Sequence, residues 1–230
     1  GHAQRLARLN PGAPAAQMLE GDALFEMKRY PDAIVAYRRA ADLRFDEPIA
    51  LRMIDAMIAV GQPTEALKVL DYFLSQNPRS VPGLLLAADQ FMAVGDWNKA
   101  ISVLTGVRRR LGNRDAAVLS NLGWALYHKG DVKQGMALAG QAYAMMPTNP
   151  DFASAYGWIL YKSGANRKGG IALLRKAVTI MPNMPEPAFR LGSALVETGD
   201  GAGARPFLEV AARETTYPNA ARASALLAKL

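Results

Sequence analysis

Few side chains in this 230-residue chain could do covalent or acid–base chemistry: there are two histidines and no cysteine. His128 has no thiol partner, no serine elbow and no second histidine at ligand spacing. A general base or metal ligand there would lack its companions, so a solvent-facing or groove histidine is the expectation. Gly1-His2 reads as a cloning remnant. The run Gly199-Asp-Gly-Ala-Gly203 is glycine-rich. It follows a helical pattern and lacks the Gly-Lys-Ser/Thr that a phosphate cradle needs, so it reads as a turn. These residues predict no enzyme, no catalytic group, no metal and no cofactor.

Binding chemistry is better represented. Gly123-Trp-Ala-Leu-Tyr-His-Lys-Gly130 and Gly157-Trp-Ile-Leu-Tyr-Lys-Ser-Gly164 are near-copies 34 residues apart, and each carries a tryptophan and a tyrosine three residues on. Trp and Tyr dominate binding surfaces because they bury much area at little rotamer cost.

A repeat of that period must be traced before the aromatics can be placed. Six windows follow from Pro14: 14–46, 47–80, 81–115, 116–149, 150–184 and 185–218. Each reads as two helices. A small residue falls inside most of the first helices, at Gly21, Ala88, Gly123, Gly157 and Gly192, with Ile54 in the second window. Glycine ends the first helix at Gly61, Gly95, Gly130, Gly164 and Gly199, where a left-handed residue closes a helix without a Cβ clash. Lys28 holds that place in the first window. Second helices carry Ala33, Ala66, Ala100, Gly135, Gly170 and Ala204 near their starts, and Pro78, Pro147 and Pro182 follow three of their ends. Small residues at these positions predict helices packed at backbone distance, with neighbouring hairpins stacked to bury apolar faces that no single hairpin can cover. Residues 1–13 read as the remnant plus the end of a preceding repeat, cut from a longer array. Residues 219–230 read as a helix closing the last hairpin.

The period, Leu122-Gly123, Leu191-Gly192, the Gly95-Asp96 and Gly130-Asp131 turns and the Ala142…Pro147 ending resemble the tetratricopeptide repeat over residues 14–218. The second and third windows lack the Leu-Gly pair. The resemblance implies an all-α solenoid, a right-handed superhelix whose inner surface is lined by the first helices. Its function would be protein or peptide binding. The Gly-Trp segments with Pro147-Thr-Asn-Pro150 also resemble array ends of bacterial proteins serving exopolysaccharide assembly and export, which implies a cell-envelope or periplasmic setting.

If the first helices line a groove, the residue after each small one faces it: Asp22, Asp55, Asp89, Trp124, Trp158 and Ser193. Tyr127 and Tyr161 lie three residues further on, with hairpin packing as their plainer role. Ser120, Asn121, Ser154, His128 and Lys162 supply polar company. Trp97 and Tyr30 read as staples between helices. The carboxylates argue against a clamp for acidic peptide tails, which needs cations at those sites. Trp124 and Trp158 are the expected centre of partner contact, with sugar stacking as the alternative.

The net charge of +7 is uneven, +2 over residues 1–115 and +5 over 116–230. Arg108-Arg109-Arg110 ends a helix, where cations complement the dipole. Arg38, Arg39, Arg175 and Lys176 recur on second helices, an outer-face pattern that nucleic-acid binding would use only with aligned aromatic platforms. No apolar run is long enough to span a membrane.

Overall fold

The computed structural model describes residues 12–215 and 217–230; the expected helix end at residues 2–9 lies outside them. Among the described residues the chain is all α, with thirteen helices. They are α1 (Pro14–Glu26), α2 (Tyr30–Leu43), α3 (Glu47–Ala59), α4 (Pro63–Gln76), α5 (Val81–Ala93), α6 (Trp97–Leu111) and α7 (Ala116–Lys129). The rest are α8 (Val132–Met145), α9 (Pro150–Lys162), α10 (Arg167–Ile180), α11 (Pro185–Glu197), α12 (Gly201–Arg213) and α13 (Ala220–Leu227).

Local sequence starts most of these helices. The side chains of Asp46, Asp96, Asp115, Asp131, Asn149, Asn166 and Asp200 accept hydrogen bonds from first-turn amides of α3, α6, α7, α8, α9, α10 and α12. Such caps satisfy donors that the helix cannot. Proline at the first or second position opens α1 to α4, α9 and α11, where its missing N–H costs nothing.

Left-handed residues stop the first helices. Gly61, Gly95, Gly130, Gly164 and Gly199 all have positive φ, and Lys28 takes the same conformation at φ 58°. A Cβ at that φ meets the neighbouring carbonyl, so Lys28 holds a strained place. Lys28→Gly is expected to stabilise the chain by about 0.5–1 kcal/mol, read as a higher urea midpoint at unchanged slope.

The chain divides within α5 into two compact units, residues 1–90 and 91–230. In the first, α1 to α4 pack in sequence around Leu24, Tyr37, Ile49, Ile54, Leu70 and Phe73. In the second, α7/α8, α9/α10 and α11/α12 form hairpins, and α13 packs on α12 and α11. The first helices α7, α9 and α11 also touch one another in order, so they share one side of the unit.

Two hairpins close to backbone contact. A Cβ on Gly135 would lie 2.6 Å from the Gly123 carbonyl oxygen and 2.8 Å from the Tyr127 amide; one on Gly170 would meet the Gly157 oxygen and Tyr161 amide at the same distances. No real Cβ tolerates that approach. The paired glycines therefore set the helix separation that brings the Gly-Trp helices into place.

Candidate functional site

The second unit holds a recess of about 410 Å³ on the side shared by α7, α9 and α11. Ser120, Asn121 and Trp124 of α7 form one wall, Asp151 and Ser154 of α9 the floor, and Glu186 and Arg190 of α11 the other wall. Asn149, the cap of α9, sits at its edge.

Arg190 organises this recess. Its guanidinium lies over the Trp124 ring, 4.1 Å from the ring centre. Nη1 donates to Ser154 Oγ at 3.0 Å and Nη2 meets Glu186 Oε1 at 2.7 Å. The residue is only 9% exposed, yet it keeps a stacked face and two directed hydrogen bonds. A planar guanidinium can do all three at once, which an ammonium cannot. Burial lowers its pKa, opposed by Glu186. Glu186 is itself held from the far side: Tyr217 donates to Oε2 at 2.5 Å, and Asn219 Nδ2 donates to the Tyr217 oxygen at 3.2 Å. Burial and then the Glu186 hydrogen bond raise the Tyr217 pKa, so the phenol stays a proton donor. The segment between α12 and α13 thereby buttresses a recess whose far wall is α7.

Aromatic rings continue from Trp124. His128 meets its edge at 4.6 Å and stacks on Trp97 at 4.5 Å with an 11° interplanar angle. Trp97 thus reaches from α6 to α7, as a staple between helices would. Partial desolvation against the two indoles, then the Arg190 charge, lowers the pKa of His128, whose ring stays exposed on its other side, with Glu186 opposing. A histidine with a lowered folded pKa is neutral at pH 7, and the unfolded chain takes up the proton first as pH falls. Stability is then fully present above the ordinary histidine value and falls below it. The thermal midpoint is expected to drop between about pH 7.5 and about pH 5.5, and His128→Gln to flatten that part of the profile. Equal pH profiles for the two proteins would refute this.

The other expected site residues separate. Trp158 is half-buried against the apolar core of the last repeats and does not line the recess. Lys162 lies 5.5 Å from the Trp158 ring centre and pairs with Glu197 at 3.1 Å. Tyr161 is 3% exposed and donates to the Ala194 carbonyl and Glu197, so its role is to join α9 to α11. Ser154 is 1% exposed and serves Arg190. Ser120 is buried at the recess wall, and Tyr127 is half-buried beside Trp124. In the first unit, Asp22 accepts from Arg52 at 2.8 Å and Tyr37 at 2.9 Å, so its carboxylate serves the hairpin stack. Asp22, Asp55, Phe25, Tyr37 and Arg52 share a smaller recess of about 310 Å³. Partial desolvation raises the pKa of Asp55, against the pull of Arg52. Asp89 stands exposed on α5, and desolvation by the chain near its carboxyl pushes its pKa up to about 6.

The sequence reading missed Arg190 and Glu186. A signal existed: Arg190 stands two residues before Gly192, as Arg52 stands two before Ile54, and both reach back to the preceding first helix. Among the described residues no three His, Asp or Glu side chains converge to hold a metal ion, and no helix is long and apolar enough to cross a membrane.

The tetratricopeptide repeat family model matches residues 1–48 and 85–150. Over those stretches the chain carries tetratricopeptide repeats. Its fold is shared with a chain of the APC/C hetero-tetramer Cut9-Hcn1 at TM-score 0.80 and 14% identity, over 99% of this chain and only 44% of that one. A tetratricopeptide repeat protein from Parabacteroides merdae ATCC 43184 gives 0.80 at 13% identity, over 98% of this chain and 88% of that one. YrrB, described as a TPR protein with an unusual peptide-binding site, gives 0.56 at 14% identity, over 82% and 97%. No curated protein sequence matches. At these identities the likeness is one of fold: a tetratricopeptide hairpin array, a fold that supports protein–protein interaction in general and whose members are typically non-catalytic.

Proposed function

We propose that this tetratricopeptide chain is a non-enzymatic scaffold that seats a peptide segment of a partner protein in the recess between Trp124 and Arg190. One observation carries the reading. Trp124 is half-buried, its ring is oriented by Arg190 at 4.1 Å, and it opens onto a recess with Asn121, Ser120 and Asn149 around it. A pre-oriented indole beside amide and hydroxyl groups suits an extended peptide: the ring takes an apolar side chain and the polar groups pair with its backbone. Asp22 and Lys162 carry less of this proposal than the sequence suggested, since both are engaged in ion pairs.

Peptides selected from a displayed library, dye-labelled and titrated by anisotropy, test it. Trp124→Ala and the recess-filling Ala117→Arg are each expected to weaken binding by roughly tenfold or more. Ala117 lies at the recess surface and takes no part in the Arg190 contacts, so its variant keeps the stack. Undiminished binding by Ala117→Arg would refute the site. The likeness of the Gly-Trp segments to exopolysaccharide-assembly proteins stands as a subordinate proposal. It predicts that an acidic polysaccharide competes with the peptide, and that Trp124→Ala abolishes the competition.

A further inference from the structure

A second groove, of about 630 Å³, runs along the other face of the α8 hairpin. Lys133, Met136, Ala137, Gly140 and Ala144 of α8 form its length, and Tyr156 and Leu160 of α9 its side; none of its lining residues belongs to the Trp124 recess. Residues 133–144 span about 16 Å at the helical rise, three turns. The floor is aliphatic and low. Gly140 has the Tyr156 ring 3.2 Å from where a Cβ would stand, so the ring lies close over α8 there.

Its surroundings are of one charge. Helices α6, α8 and α10 hold nine Lys or Arg and no Asp or Glu, whereas α2 and α4 of the first unit hold three basic and four acidic residues. Beside the groove, Lys176 of α10 donates to Tyr143 of α8 at 3.0 Å, and Tyr143 in turn packs against Tyr156. Lys133, Lys168 and Arg175 are exposed and make no ion pair among the described residues. Asp131, next to Lys133, gives a carboxyl oxygen to the Gln134 amide that it caps. Apolar side chains continue past the groove: Met145, Met146, Ile180 and Met181 are all more than 40% exposed at the ends of α8 and α10.

We propose that this groove docks an acidic amphipathic helix of a partner protein. A three-turn, largely apolar groove floored by small residues admits the apolar stripe of a helix at close distance, and Lys133 in its lining, with the exposed cations of α10, meets carboxylates on its flanks. A nucleic acid gains nothing from a Met/Ala/Leu floor without stacking platforms. The excess of cations on α8 and α10 also speeds encounter with a negative partner, an effect that salt screens.

The test is a displayed library of helical peptides, selected on the wild-type chain and counter-selected on Ala137→Glu/Ala144→Glu, two exposed groove positions. Enriched sequences are expected to show apolar residues at i, i+3, i+4 and i+7 with net negative charge. The best peptide, titrated by anisotropy, should bind Lys168→Glu/Lys176→Glu roughly tenfold more weakly and Trp124→Ala as tightly as wild type. Enrichment of basic or unpatterned sequences would overturn the proposal, as would none beyond the counter-selected protein. So would displacement of the peptide by phosphatidylserine vesicles or by single-stranded DNA at stoichiometric amounts, which would assign the surface to a polyanion.

Discussion

Gly135→Ala is expected to destabilise the second unit by about 3 kcal/mol, while Gly106→Ala raises stability by about 0.5–1 kcal/mol. Both replace a helical glycine by the best helix former, so propensity alone predicts a gain at each. What differs is the space. Nothing lies within 4 Å of a Cβ at Gly106, whereas at Gly135 it would sit 2.6 Å from the Gly123 carbonyl oxygen and 2.8 Å from the Tyr127 amide. Those are backbone atoms of the facing helix and cannot swing aside. Relief requires α7 and α8 to separate, which opens the packing of Leu122, Leu126, Leu138 and Ala139 beneath them. Urea midpoints of the two variants are the measurement. Equal shifts of the same sign would show that the glycines are not there for close approach.

Arg190→Ala is expected to cost about 3 kcal/mol, from one cation–π contact and two charge-assisted hydrogen bonds less the desolvation of the guanidinium. It should also abolish peptide binding in the recess. Arg190→Lys is expected to recover little of either, because an ammonium cannot stack on Trp124 while donating to Ser154 and Glu186. Emission from Trp124, read in a background lacking Trp97 and Trp158, should change in both variants. Tyr217→Phe should move that signal in the same direction and by less, since it removes the hydrogen bonds to Glu186 and from Asn219 but leaves the Arg190 contacts in place. Full rescue by lysine would mean that charge alone organises the recess.

The Lys28 and Gly135 cases show how far a local code reaches. Helix ends, caps and left-handed stops depend on a few consecutive residues, and the 34-residue spacing repeats them, so Lys28 could be placed in a glycine's position before any coordinates. Close helix approach was equally readable, because Gly123 and Gly135 belong to one hairpin and recur as Gly157 and Gly170.

The recess was only half readable. Trp124 stood out as an indole that helix packing did not require. Its counterpart Trp158 looked equivalent in register and proved to lie against the terminal core, because α11 and Glu197 close over that end through Tyr161 and Lys162. Register gives the face of a helix but not what the next repeats lay upon it.

By itself, the sequence of this chain determined its period, its all-α hairpins, the stops between them and the face on which Trp124 stands, since each follows from steric and hydrogen-bonding rules within a turn or a hairpin. The tertiary structure alone decided that Arg190 turns inward. Its guanidinium meets Trp124 and Ser154, residues 66 and 36 positions earlier. An arginine at that register could as well extend into water. Only the stacking of α7, α9 and α11, with Tyr217 bracing Glu186 behind, makes the buried, stacked position the lower in free energy.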